Sequence, residues 1–459
     1  MVRKTLAQIG KMISVENDLS AYSDIMITGV CIDTRKIIKG NLFIPFIGEN
    51  ADGHRFVEQA IEMGAAAALW QKGVPNPPMH LPVIIVESTL IALQELARSY
   101  RDELDIKVVG ITGSNGKTTT KDMVANLLSL QYKVQKTEGN YNNHLGLPLT
   151  ILGLEPNTGM AVLEMGMSGH GEIDFLTKLA RPNAIIITNI GESHLLDLGS
   201  REAIADAKLE IVNGLQANGL VVYNGDEPLL QRRMEGLSKK ALVKTFGRNE
   251  KNDFYPLEVI QSDQGNVFNI NGVEYMFNLP VLGTHNVLNA LAAMITANFF
   301  GVPFEKMNAG FASLKLTNMR MELVTGINGE KIINDAYNAS PTSMQAAIEL
   351  ISNFPSYQEK ILVLGDMLEL GPQEEEFHFK IGQSLSPSNI SMLFTYGRLG
   401  ILIAQGAKSV FPEERVFSFM DKTELVTELK KHTREQTLIL VKASRGMRLE
   451  EIVVGLQNK

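Results

Sequence analysis

An apolar run from Val108 to Ile111 passes through Thr112-Gly-Ser-Asn-Gly-Lys-Thr-Thr119 and on into helix-forming residues. Glycines at 113 and 116 let backbone N–H groups turn inward toward an anion, and a helix opening near Gly116 points its positive end at the same place. Lys117 then reaches the outer phosphates of a nucleotide, and the Thr118 hydroxyl is placed to ligate Mg²⁺. Gly113, Ser114, Asn115, Gly116, Lys117, Thr118 and Thr119 are therefore the expected phosphate contacts. The spacing departs from the general G-x-x-x-x-G-K-[ST] pattern, which needs glycine where this chain has Ile111.

More groups with chemical potential lie downstream. Glu164 ends the apolar run Ala161-Val-Leu and precedes Met165-Gly166, so its carboxylate stands where it could hold Mg²⁺ near the loop. The plain alternative is a solvated or helix-capping glutamate. His194, in Thr188-Asn-Ile-Gly-Glu-Ser-His194, is either a metal ligand or a loop histidine. Lys208 reads by default as a solvated lysine, because an ammonium has no lone pair to offer a metal. Asn286 and Asn289, three apart in Gly283-Thr-His-Asn-Val-Leu-Asn289, share a helix face suited to the edge of a base, or else cap that helix.

These residues need a scaffold of parallel strands and helices. Strand-like runs alternate with helix-period segments through most of the 459 residues, the pattern of an α/β protein with about three domains. The expected division is 1–86, 87–316 and 317–459. The first block holds Leu42–Phe46, a helix from Arg55 to Met63, and the runs Ala66–Trp70 and Val83–Val86. The second begins with a helix over Leu90–Tyr100 and continues through the phosphate-loop strand, Ala161–Glu164, Ala184–Thr188 and a helix over Arg201–Leu215. Period-two patterning between Leu242 and Phe277, with a turn at Asn271-Gly272, predicts an antiparallel excursion. In the third block, strands at Ile361–Leu364, Met392–Thr395 and Leu438–Val441 alternate with helices around 341–353, 374–385 and 421–431, a small doubly wound domain. A net charge of −8 argues against nucleic acid as a partner, and a single cysteine, Cys31, excludes an internal disulfide. With no signal peptide and no membrane-length apolar stretch, the expected location is the cytoplasm.

In order and along its whole length, the chain resembles the Mur ligases, the ATP-dependent amide-forming enzymes of peptidoglycan precursor synthesis. The likeness rests on the T-G-S-N-G-K-T-T loop, Glu164, Asn189 through His194, Ala207-Lys208, the G-x-H-N-x-x-N helix, Arg320 and Asp335. Further matches are Asp33-Thr-Arg35, Gly40-Asn-Leu-Phe43, Asp52-Gly-His54, Asp335-Ala-Tyr-Asn-Ala-Ser-Pro341 and Leu364-Gly-Asp-Met-Leu-Glu-Leu-Gly371. Ser340, where asparagine is usual, and Ala443, where glycine is usual, depart from the pattern.

The resemblance implies three domains: a small α/β nucleotide-sugar domain, a central phosphate-loop domain and a Rossmann-like domain that closes over ATP. It implies an ATP-dependent ligase that phosphorylates the terminal carboxylate of UDP-N-acetylmuramoyl-tripeptide and lets the amine of D-alanyl-D-alanine attack the acyl phosphate. Lys117, His194 and Lys208 become the catalytic group; Thr118, Glu164, His194 and a carbamylated Lys208 hold Mg²⁺. Asn286 and Asn289 are expected near adenine, with Arg320 and Asp335 on phosphate and ribose. Asp33, Thr34, Arg35 and Phe43 fall to the UDP end, and Asn140, Asn142 and Asn143 to the muramoyl peptide. Asn338 and Ser340 fall to the incoming dipeptide, although Asn338 could equally cap the helix near Pro341. The implied partners are these small molecules alone, with the chain acting as a monomer. Three alternatives remain: the ligase adding the third residue of the peptide, whose Asp-Asn-Pro-Arg motif is missing; a folylpolyglutamate synthetase, which should lack the Asp33-Thr-Arg35 domain; and a phosphate-loop switch protein.

Overall fold

Six parallel strands carry the phosphate loop in the computed structural model, which describes residues 1–48, 51–235, 241–354 and 356–458. Their order across the sheet is Leu242–Phe246, Leu220–Asn224, Ala184–Ile187, Lys107–Thr112, Met160–Glu164 and Val134–Lys136. Ile111 pairs with Glu164, and Thr112 with Ile187, so the carboxyl ends of three central strands lie level. These strands read as continuous apolar runs because helices cover both faces. Val109, Ile111 and Ile186 pack toward the helices Lys117–Leu128 and His285–Phe299. Val108, Ile185 and Ile187 pack toward Thr89–Glu103 and Glu172–Ala180.

The first block forms a four-stranded parallel sheet of Val30–Cys31, Leu42–Phe43, Ala67–Gln71 and Val83–Val86, beside an antiparallel pair, Arg3–Thr5 with Met26–Thr28. Its principal core is shared: Val2, Leu6, Ile27, Leu42 and Leu69 join one apolar cluster with Leu93 and Leu96 of the following helix and with Leu163 of the central sheet. The Val2 N–H fastens the same junction by donating to the Leu152 carbonyl at 2.7 Å. Only a small cluster around Phe43, Val57 and Trp70 belongs to the first block alone.

The third block is a six-stranded sheet ordered Glu322–Thr325, Lys331–Asn334, Thr437–Lys442, Glu359–Gly365, Met392–Tyr396 and Val416–Phe419. The first pair is antiparallel and the rest parallel. Helices Pro341–Ser352, Glu374–Gln383 and Gly400–Ala407 cover one face, Lys422–Lys430 and Glu450–Gln457 the other.

Three local expectations change. Leu242–Phe246 is the parallel edge of the central sheet, and the antiparallel excursion is confined to Pro256–Ser262, Gly265–Ile270 and Val273–Leu279. An edge strand has one wet side, so it mimics the period of a hairpin. The expected turn is there, with Gly272 at φ 71°. The helix from Arg201 stops being α-helical at Leu209 and tightens into a 3₁₀ segment to Gly214, and the one expected over Arg55–Met63 splits into 3₁₀ Gly53–Phe56 and α-helical Val57–Glu62. Among the described residues, no helix is long and apolar enough to cross a membrane.

Candidate active site

The loop after Thr112 can be built only with glycine at two positions. A Cβ on Gly113, at φ 146°, would drive into the Thr188 hydroxyl, and one on Gly116, at φ 80°, would come within 2.6 Å of Asn289 Oδ1. Gly116 caps the helix Lys117–Leu128, whose first turn therefore opens toward the loop. Lys117 Nζ folds back over it, donating to the Gly113 carbonyl at 2.7 Å. Burial pushes this ammonium below the usual lysine value and nearby Arg320 pushes the same way, while Glu164 opposes both. A buried cation held below its ordinary value gains from an anion placed beside it.

Above the loop lies a cleft of about 400 Å³, with walls from the central and third blocks. Thr118 donates to Glu164 Oε2 at 2.9 Å and Asn142 Nδ2 to Glu164 Oε1 at 2.8 Å. From the third block, Arg320 Nη2 donates to Thr118 Oγ1 at 3.3 Å while its guanidinium stacks 4.0 Å from the centre of the Tyr337 ring. Arg320 Nε and Asn115 Nδ2 are buried donors with no partner. Two orphan donors, an uncomfortable lysine and a helix N-terminus converge on one place, which fits a polyphosphate. The hydroxyl and carboxylate oxygens of Thr118 and Glu164 are the hard ligands that suit Mg²⁺.

The other expected residues divide. Asn286 and Asn289 meet as predicted, but they bond each other, Asn289 Nδ2 to Asn286 Oδ1 at 2.8 Å, and neither caps the helix. Asp335 lines the cleft with both oxygens engaged, by Lys442 Nζ at 2.5 Å and the Met321 N–H at 3.3 Å. His194 faces the cleft from a left-handed turn at φ 66°, with Nδ1 3.0 Å from Glu369 Oε2 in the third block. The neighbouring imidazole lowers the Glu369 carboxyl below its usual range, and Asp197 completes a cluster of possible ligands. Lys208 is 2% exposed and stands behind the cleft wall rather than on it. Burial holds it well below the ordinary lysine value, and the Lys117 cation adds to this. Asn140, Asn142 and Asn143 all line the cleft, although Asn143 Oδ1 also accepts from the Gly146 N–H at 2.8 Å.

Four residues fall elsewhere than expected. Phe43, at 2% exposure, is core in the first block rather than pocket wall. Asp33 does line a separate, mostly apolar cavity of about 360 Å³ between the first and central blocks, but Thr34 and Arg35 do not; Arg35 swings out and clasps Asp33 at 2.8 Å. Ser340, 1% exposed, is the true cap of Pro341–Ser352 through a reciprocal pair with Ser343, whereas Asn338, on the cleft, bonds only the next backbone N–H with its side chain. Lys442, Tyr337 and His285 line the cleft without having been singled out. A lysine ending the buried run Leu438–Val441 was the available signal for the first, the same logic that found Glu164.

His285 carries a pH consequence. Burial pushes its imidazole down to about 4, against the pull of Asp335 and with the help of Lys442 and Arg248. An imidazole depressed in the folded state takes up protons more readily once unfolded, so its stability contribution is intact above the ordinary value of 6.5 and is lost as pH falls toward about 4. The expected loss is about 2 kcal/mol, since His285 keeps some solvent access. Denaturant melts from pH 7 to 4 should show a His285→Gln protein losing less stability than the parent, and parallel slopes would exclude this.

Family models match the chain in three stretches: "Mur ligase family, catalytic domain" over residues 26–101, "Mur ligase middle domain" over 111–297 and "Mur ligase, glutamate ligase domain" over 319–445. A UDP-N-acetylmuramoyl-tripeptide–D-alanyl-D-alanine ligase of Bacillus subtilis (strain 168) is 52% identical over 456 residues, 99% of each chain. Among solved structures, MurF from Acinetobacter baumannii superposes with a TM-score of 0.88 at 27% identity, covering 100% of both chains. MurF ligase from Thermotoga maritima in complex with ADP superposes at 0.81 with 28% identity, covering 94% of this chain and 97% of the other. A relative half identical from end to end, and a fold shared across all three blocks, leave one conclusion: the chain belongs to the Mur ligase family.

Proposed function

We propose that this chain is an ATP-dependent ligase that joins D-alanyl-D-alanine to UDP-N-acetylmuramoyl-tripeptide. The observation that carries the reading is the 52% identity, over 99% of both chains, to a Bacillus subtilis ligase named for that reaction. The cleft supports it chemically. Making an amide from a carboxylate and an amine is uphill in water, so the carboxylate must first acquire a leaving group, and phosphorylation supplies one. Moving a phosphoryl group between two anions requires fixed positive charge and exclusion of water.

In this reading, Lys117 and Arg320 neutralise the transferred phosphate, with Asn115 and the backbone of Gly113 to Gly116 cradling it. Thr118 and Glu164 hold Mg²⁺, which neutralises charge on the phosphates. His194, and Lys208 as a carbamate, serve the second metal and the acceptor carboxylate. Asn289 and Asn286 face the adenine, while Asp335 and Lys442 orient the ribose end from the third block. Residues 1–86 take the UDP moiety beside Asp33, residues 87–316 the nucleotide, and residues 317–459 close the cleft with Asn338 toward the dipeptide. Every one of these groups belongs to one chain, so a monomer working in the cytoplasm suffices.

The assay mixes purified protein, Mg²⁺-ATP and UDP-muramoyl tripeptide with either D-alanyl-D-alanine or single amino acids, and follows products by mass spectrometry. Product is expected from the dipeptide, with D-alanine alone at least about a hundredfold poorer in kcat/KM, because a missing residue forfeits binding used for closure. A product one amino acid heavier, made from the muramoyl dipeptide, would assign the preceding step of peptide assembly instead.

A further inference from the structure

The short connection between the central and third blocks is tied down beside the nucleotide cleft. Asp122, four residues beyond Thr118 on the same helix, is 1% exposed. Its Oδ1 accepts from Lys136 Nζ at 2.6 Å and lies 3.4 Å from Lys121 Nζ. Its Oδ2 has another use, accepting from the Thr317 N–H at 2.8 Å and from the Thr317 hydroxyl at 2.9 Å. Neutralising two lysines accounts for the first oxygen and leaves the second unexplained.

Residues four apart lie one above the other on a helix face. The connection therefore runs along one turn of the phosphate-loop helix, bonded to Asp122 through Thr317 and to Thr118 through Arg320. On either side of Arg320 the backbone takes a strained path: Met319 and Met321 both sit in the left-handed region, at φ 60° and 53°. Their N–H groups are held by Glu322 Oε2 at 3.0 Å and Asp335 Oδ1 at 3.3 Å. The result aims Arg320 into the cleft with Nε unpartnered.

We infer that Asp122 is a positioning residue for Arg320: by clamping Thr317 to the phosphate-loop helix, it sets where the left-handed turn begins and so where the guanidinium meets the phosphates. This rests on the reading of Arg320 as a nucleotide contact. Thr317→Val removes the hydroxyl bond while leaving the two lysines neutralised, and Asp122→Asn weakens the whole clamp. Each is made alone and on an Arg320→Ala background, with Mg²⁺-ATP affinity by calorimetry, kcat by phosphate release and thermal unfolding as readouts.

Thr317→Val is expected to lower kcat about tenfold, in line with the cost of slightly misplacing a group that acts on the transition state. Thr317→Ser should restore it, with unfolding unchanged. On the Arg320→Ala background the same substitution should change kcat and ATP affinity by less than about twofold, because its target is gone. Equal losses in both backgrounds, or no loss from either clamp variant, would overturn the inference. A parent protein that binds Mg²⁺-ATP but makes no ligated product would defeat the proposed reaction alone, and the affinity arm would still decide the role of Asp122.

Discussion

Lys117→Ala should lower kcat/KM by about a thousandfold while leaving the protein folded, a loss of about 4 kcal/mol of transition-state stabilisation. The side chain is the cation nearest the loop backbone, and its own amine is held below the ordinary lysine value by burial. Its removal takes away a desolvated charge together with a bond to a backbone carbonyl, two effects on stability that oppose each other. Stability and activity should part company, the unfolding midpoint moving little as turnover collapses. Lys117→Arg should not rescue, because a planar guanidinium does not reproduce the compact ammonium that folds back to 2.7 Å from the Gly113 carbonyl. Phosphate release and calorimetric unfolding on the same preparation settle the matter. A folded alanine variant turning over near the parent rate would remove Lys117 from the phosphate site.

Lys208→Arg should be as damaging, about a thousandfold or more in kcat, through a different property. A lysine with 2% exposure, held well below its usual value by burial and by the Lys117 cation, gives up its proton more readily than an exposed lysine does. Among the described residues its side chain makes no hydrogen bond. A neutral amine can attack CO₂, forming an N–C bond and giving up a proton, and the carbamate turns repulsion from Lys117 into attraction. Arginine keeps its charge and cannot follow. With carbon-13 bicarbonate, the parent should show a carbamate resonance that the Lys208→Arg protein lacks. An arginine variant with high activity, or a parent without that resonance, would contradict the assignment.

The parts of the site made by neighbours in sequence were legible from the residues themselves, whereas distant parts such as Arg320 and Asp335 were named only through the family resemblance. Gly113 and Gly116 admit no other residue type, so the turn announces itself. Glu164 was found because an acidic residue ending a buried run must face whatever its neighbouring strand end presents, and the Ile111 register places it beside the loop. Phe43 was assigned to the UDP end by the resemblance alone, and the two-residue strand Leu42–Phe43 gives no period from which to read that the following helix covers it. Ser340, expected with Asn338 at the dipeptide end, is instead the cap that Asn338 could equally have supplied, since asparagine and serine offer similar capping chemistry two positions apart. The Asp122 clamp joins groups 195 residues apart, and no local pattern marks either end. Lys208 is the reverse case: its helix was predictable, but its charge state depends on burial that only the assembled fold imposes.

The wide spacing of the ties around the cleft also has a consequence in time. Thr118 and Arg320 are 202 residues apart, and Asn115 and Ser340 are 225. At ribosomal speeds of about 5–20 residues per second, the phosphate loop emerges roughly 10–40 s before the arginine that completes it. Throughout that interval the nascent chain owns a glycine cradle and a lysine but has no wall to shut out water. The order of synthesis thus delivers the anion-binding loop first and the third-block groups that meet it, Arg320 and Ser340, only with the last third of the chain.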